Sequence, residues 1–334
     1  MGVKIVHIST AFPNKEFTNS EYFSLFPEQK DNPNLAKIGI ESRKIVETET
    51  ASDLAIDAAQ KLVSDMGVSI DIFDFLIFCS PDLDFHTPAT ASYIHGQLNL
   101  EENCGAIDIT HGCSGFLYSL SIAKALIESG QCENILLLNA SAGTKKIHSN
   151  DKAGRYLFGD GAAATWVSSS DVNSIGNFQL CTRGKSYNKI IIKSGGMRHP
   201  LDSNSGHPKI DQFGNITSDN TLFMDNVSVF HFSMEVVPAL IKEVLSKNKL
   251  SFEEIDYFVF HQANGYLLEL LRKKMNIEND RFINDIRNIG NTVSATIPIA
   301  LAQLFQNNQN LEGKIILLAG FGTGLSWGGT IIRL

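Results

Sequence analysis

The chain has 334 residues, 43% of them hydrophobic, which suffices for a large core and by length suggests two domains or one duplicated unit. Its 28 Lys and Arg stand against 36 Asp and Glu, a formal net charge of −8, which argues against general binding to nucleic acid or an anionic membrane but leaves room for a local basic patch. Five cysteines form no C-x-x-C pair, so neither a disulfide framework nor a zinc site is expected, and a reducing cytoplasm fits best.

The opening residues, Met1-Gly-Val-Lys-Ile-Val-His-Ile, read as a strand and lack the apolar core and cleavage site of a signal peptide. No apolar run approaches the ~18 residues that a membrane-spanning helix needs. Short apolar segments at 4–8, 75–79, 134–139, 162–167, 256–260 and 314–318 predict buried strands. Amphipathic or apolar patterns at 52–66, 116–129, 229–246, 266–275 and 296–307 predict helices, the first with Ser52 as its cap. Strands alternating with helices predict an α/β fold around largely parallel, covered sheets. The segments beginning at Asn134 and Lys314 echo each other, a hint of duplication, and residues 171–222 read as the connection between halves with surface loops.

Cys113 lies between a strand end at Gly105 to Ile109 and a helix from Phe116 to Ser129 that Gly130 stops. At such an elbow, unpaired backbone N–H groups and the helix dipole favour a thiolate nucleophile. Taken alone, the residue reads more readily as a packing cysteine, and the later segments raise the case for catalysis. His261-Gln-Ala-Asn264 follows an apolar run, which puts His261 at the carboxyl end of a sheet, where open α/β folds place their chemistry. Asn288 to Ser294 contains the turn pair Gly290-Asn291. Gly320 to Gly329 is a glycine-rich strand end that could bring backbone N–H groups to a substrate oxygen and does not fit a dinucleotide fingerprint. Cys, His, Asn and such a strand end form one coherent set: a thioester acceptor, two donors for an enolate oxygen, and an oxyanion hole.

Seven motifs, in order along nearly the whole chain, resemble the β-ketoacyl–acyl carrier protein synthase III family of the thiolase-fold superfamily. They are Gly39-Ile-Glu-Ser-Arg-Lys44, Asp108-Ile-x-x-x-Cys113-Ser-Gly-Phe116, Leu157-Phe-Gly-Asp-Gly-Ala162, Met224-Asp225 with Val229-Phe230, His261-Gln-Ala-Asn264, Gly290-Asn291-Thr292 and Phe321-Gly-x-Gly-x-x-Trp-Gly328. The resemblance implies a duplicated five-layer α-β-α-β-α fold, with halves at 1–171 and 172–334, that forms a homodimer and uses no metal or nucleotide cofactor. It implies that Cys113 takes the acyl primer and that His261 and Asn291 polarise a malonyl thioester. The N–H groups of Cys113 and Thr323 would form the oxyanion hole, and Asn264 would brace the His segment. Arg272, Lys273 and Lys274 fall where relatives present cations to the acyl carrier protein. The implied reaction is decarboxylative condensation of a primer, delivered by coenzyme A or carrier protein, with malonyl–acyl carrier protein.

The chain departs from the family at several positions. Relatives that take acetyl-CoA hold the adenine with a Trp before the Gly-Ile pair. Here residues 31–39 contain none, and the two tryptophans are Trp166 and Trp327. Thr87 stands before Pro88 where relatives reach a bulky side chain into the partner's acyl pocket, which predicts room for a longer or branched primer. His111 and Gly112 precede the nucleophile where small residues are typical, and we read His111 as packing. Gly265-Tyr266 replaces an Arg that follows the His motif in some relatives. Together these departures point to a specialised paralogue serving a secondary metabolite or a surface glycan. Two other readings stay open: transfer of the Cys-bound acyl group to an amine or hydroxyl, and a non-catalytic partner subunit.

Overall fold

Two five-stranded sheets of identical strand order organise the chain in the computed structural model, which describes residues 2–308 and 310–334. The first holds β1 (Gly2–Ala11), β2 (Phe75–Cys79), β3 (Gly105–Ile109), β4 (Asn134–Ser141) and β5 (Gly161–Ser170) in the order β3-β2-β4-β5-β1. The second holds β6 (Gln179–Thr182), β7 (Tyr257–Phe260), β8 (Phe282–Ile283), β9 (Ile315–Gly322) and β10 (Ser326–Arg333) in the order β8-β7-β9-β10-β6. In each sheet the first three strands of that order run parallel and the last two pairings are antiparallel. Identical order and polarity make the duplication explicit.

The helices repeat the cycle: α1 (Ala51–Met66), α2 (Thr90–Gln97) and α3 (Gly115–Glu128) follow β1, β2 and β3, and α4 (Asn226–Asn248), α5 (Gly265–Lys274) and α6 (Thr296–Asn307) follow β6, β7 and β8. The third helix of each half lies between the sheets. Phe116, Leu120 and Ile127 of α3 and Ile297, Leu301 and Leu304 of α6 share one core with Ile77 and Leu137 of the first sheet and Val259, Ile316 and Leu318 of the second. A helix apolar on most of its circumference must be covered on both sides, and these two are. The other helices pack on the outer faces, α1 and α2 on the first sheet, α4 and α5 on the second. Five layers result.

All six predicted strands, the strand end read at 105–109 and the five predicted helices are present; 75–79, 105–109 and 296–307 keep their predicted boundaries and the others shift. Thr50, not Ser52, caps α1, because its hydroxyl and Asp53 make a reciprocal capping box; Ser52 bonds Asp84 instead. Four elements carried too little pattern to be read: α2, β6, β8 and β10. The last lay inside the segment read as a glycine-rich strand end. Its glycines are required by packing, since a Cβ on Gly328 would come within 2.7 Å of Leu180 and one on Gly329 within 2.9 Å of Val244. Among the described residues, no helix is long and apolar enough to cross a membrane.

Candidate active site

Four strand ends and helix starts converge where the halves meet. Cys113 occupies the turn from β3 into α3, with Ser114 at the N-cap. The turn is anchored from behind: Asp108 accepts hydrogen bonds of 2.7 Å from the Thr90 and Ala91 N–H groups and so caps α2. His261 leaves β7, its own N–H donating to the Ala319 carbonyl at 2.8 Å. Asn291 is clamped by backbone: its N–H donates to Leu157 and its carbonyl accepts from Gly159, so the Phe158-Gly159 motif serves to hold this loop. Gly159 and Gly290 are needed for the approach, because a Cβ on the former would lie 2.0 Å from the Ile289 carbonyl oxygen and the latter has φ +75°. Gly322 and Thr323 come from the end of β9 and lie against the nucleophile.

Cys113, His261 and Asn291 are all buried and all line one cavity of about 620 Å³. The cavity walls are mostly apolar, including Ile190, Leu222, Met224, Val229 and Phe230. Burial pushes the Cys113 thiol up, while the Thr323 N–H and hydroxyl and the Cys113 N–H, which face the sulfur, pull it down. Desolvation dominates, so the elbow does not yield the depressed thiol that helix-dipole reasoning expects. Because the thiolate attacks, acylation of Cys113 should rise about tenfold per pH unit from pH 6 to 8. It should show no plateau below pH 9, as measured by rapid-quench mass spectrometry.

His261 is fully enclosed, and burial lowers its imidazole to about 3, so it is neutral at physiological pH. Its Nδ1 lies 2.7 Å from the Thr296 hydroxyl, which also lies 3.2 Å from the Val293 carbonyl. The Thr296 hydroxyl donates to that carbonyl, and its contact with Nδ1 fixes the orientation of the ring. The Asn291 amide is also oriented, since its Oδ1 accepts from the Val293 N–H at 2.9 Å and one Nδ2 proton goes to the Ala263 carbonyl at 3.2 Å. One amide N–H is therefore free to donate. Val293 takes φ +54° to supply that N–H, a strained conformation for a β-branched residue, costing about 1–3 kcal/mol.

The site tolerates no side chain at Gly322. A Cβ there would sit 2.6 Å from the Cys113 sulfur. Gly322→Ala should slow acylation about a hundredfold, the scale of an ångström-level displacement of a nucleophile, in a folded protein of unchanged circular dichroism.

The remaining predicted site residues are scattered. Asn264 caps α5 by accepting from Leu267 N–H at 2.8 Å and also lines the cavity. Thr87 is exposed and away from the lining. Lys273 and Lys274 are exposed at the end of α5, where Lys273 pairs with Glu269. Arg272 differs from the reading of three outward cations: its guanidinium makes a bidentate pair with Glu269 and donates to the Ile277 carbonyl, closing the helix end. His111 stacks on Tyr118 at 4.4 Å and does not line the cavity, in keeping with packing. Neither tryptophan lines the cavity. Sequence reading missed Thr296 and Val293, which orient the His and Asn but look like ordinary residues at a helix start.

A duplicated five-layer fold with a cysteine elbow, a buried neutral His and an oriented Asn at its centre defines a thiolase-like condensing enzyme. Residues 107–184 match the family described as 3-oxoacyl-[acyl-carrier-protein] synthase III, and residues 245–334 match its C-terminal part. The β-ketoacyl-[acyl-carrier-protein] synthase III of Clostridium perfringens is 32% identical over 96% of both chains. A crystal structure of a 3-oxoacyl-(acyl-carrier-protein) synthase III superposes with a TM-score of 0.97 at 37% identity, covering 100% of both chains. The corresponding synthase of Burkholderia xenovorans superposes at 0.92, with 29% identity over 100% of this chain and 94% of that one. The chain belongs to the β-ketoacyl–acyl carrier protein synthase III family, and it is an acyltransferase of the condensing type.

Proposed function

We propose that Cys113 attacks an acyl thioester primer, expelling the coenzyme A or carrier-protein thiol, and that malonyl–acyl carrier protein then enters the same cavity. Loss of carbon dioxide leaves an enolate, whose oxygen lies between the His261 Nε2–H and the free Asn291 N–H. The enolate carbon attacks the Cys113 thioester, the N–H groups of Cys113 and Thr323 hold the tetrahedral oxyanion, and Cys113 leaves as the 3-oxoacyl thioester forms. No step runs through a metal or nucleotide cofactor. One observation carries this reading: a neutral imidazole and an amide, each oriented by its own partner, share one cavity with the thiol. Acyl transfer to an amine or hydroxyl places no such demand on an enolate-binding pair.

Within the same reading, the halves are 1–171 and 172–334, and the enzyme works as a cytoplasmic homodimer. Exposed Phe85 and Ile107, near Thr87 and on edge strand β3, supply an apolar face for the second copy. Lys273 and Lys274 are the cations left to meet an acidic carrier protein on a chain of net charge −8. The test is incubation of a primer thioester with malonyl–acyl carrier protein labelled at the free carboxyl. The expected result is stoichiometric release of labelled carbon dioxide with a 3-oxoacyl product two carbons longer than the primer. Primer transfer to an amine or alcohol with the malonyl group intact would instead identify the plain acyltransferase.

A further inference from the structure

An ion pair is built into the wall of this largely apolar cavity, and the condensation chemistry does not use it. Asp82 and Lys146 both line the cavity, with Lys146 Nζ 3.0 Å from Asp82 Oδ1. Asp82 is buried and fully held: its Oδ2 accepts from the Ser141 hydroxyl at 2.9 Å and the Ala142 N–H at 3.1 Å, and its own N–H donates to Ser80 at 3.0 Å. Lys146 gives a second proton to the Pro81 carbonyl at 3.0 Å. An ammonium has three N–H donors, and the third has no protein acceptor among the described residues. The Lys146 side chain is 37% exposed, so this third donor is open to solvent or to a group that enters the cavity.

The pair lies on the nucleophile's side of the cavity. Val293 is the link: one of its methyls lies 3.6 Å from where a Cβ of Gly112 would be, next to Cys113, and its other methyl lies 3.9 Å from the corresponding point at Gly143. That Gly143 position is in turn 3.6 Å from Asp82 Oδ2. The pair is thus linked to the nucleophile's neighbour through the Val293 side chain and lines the same cavity as Cys113.

We infer that Lys146, held by Asp82, selects a primer whose acyl chain carries a hydrogen-bonding oxygen, a hydroxyacyl group in preference to its unsubstituted parent. The pair is net neutral, which sets the charge of the ligand. A carboxylate would meet Asp82 as well as Lys146, whereas a neutral hydroxyl can accept from Lys146 Nζ without repulsion. This specificity rests on the proposed loading of Cys113.

The experiment follows Cys113 acylation by intact-protein mass, with butyryl thioesters bearing a hydroxyl at carbon 3 or carbon 4, the unsubstituted butyryl thioester, and the succinyl thioester. In wild type, one hydroxyacyl donor should react at least about tenfold faster than the parent, and the succinyl donor should be slowest. In Lys146→Met, and in the Lys146→Met, Asp82→Asn double variant that leaves no unpaired carboxylate, the ratio should fall to within threefold of one. Because the ratio is taken within each preparation, partial misfolding does not alter it, and the wild-type ratio stands if a variant fails to fold. Acylation of wild type that favours the unsubstituted or succinyl donor, or a preference that survives both variants, overturns the inference while leaving Cys113 loading intact. No acylation by any donor overturns the loading step itself.

Discussion

Cys113→Ala should abolish acyl loading and lower kcat/KM for condensation by about 10⁴–10⁶, the range seen when a covalent nucleophile is removed. The expectation follows from the enclosure of the site. Cys113 is the one cysteine of five that lines the cavity. Cys79, the nearest alternative in the fold, is fully buried, and its thiol is pushed up to about 12 by desolvation. Cys104 is pushed up to about 11, again chiefly by burial. No second thiol can take over. Intact-protein mass spectrometry, with wild type beside the variant and a panel of acyl-CoAs and acyl carrier proteins, reads the result directly. A stable gain on wild type alone identifies the nucleophile and the donor class together. Equal labelling of both proteins, or none on wild type with any donor, would remove the covalent route and leave the partner-subunit reading standing.

The alternation of apolar strands and helices, the elbow at Cys113 and the ordered motifs were legible because each is local in sequence. A nucleophile at a strand-to-helix turn and a His just past a strand end need no tertiary information to be placed. What was not legible depends on contacts that the local pattern does not announce. Thr296 matters because its hydroxyl lies 2.7 Å from a His that is 35 residues distant, and nothing in the helix-start pattern marks it. Lys146 and Asp82 are separated by two strands and two helices, and only the fold brings them to one wall. Arg272 illustrates the opposite error: a run of three cations looks like a surface patch, yet the middle of a helix end consumes one of them in closing itself against Glu269 and Ile277. The elbow's thiol was misjudged for the same reason. Donors near a sulfur can be inferred locally, but its desolvation by Gly322 and the opposite half cannot.

The sharpest division of labour concerns His261 and Asn291. Alanine at either should leave Cys113 acylation within about threefold of wild type and slow condensation about 10²–10³-fold, the cost of removing one oriented donor from an oxyanion site. The asymmetry follows from protonation. A His held neutral down to about pH 3 by burial keeps one ring proton, and in the proposed condensation that proton sits on Nε2 and donates to the enolate. That proton stabilises an enolate and does not deprotonate a thiol. Asn291 has no proton acceptor to offer either, because its Oδ1 is occupied by the Val293 N–H. The pH dependence should separate accordingly. Acylation climbs with pH as the raised Cys113 thiol ionises, whereas decarboxylation of malonyl–acyl carrier protein stays flat from pH 6 to 8, since His261 does not change charge there. Stopped-flow acylation and carbon dioxide release, measured separately on each variant, test both halves. If His261→Ala instead lost acylation in step with condensation, and wild-type acylation titrated near pH 6.5, the imidazole would be the base that activates Cys113. The enolate assignment would then pass to the backbone N–H groups of Cys113 and Thr323 with Asn291 alone.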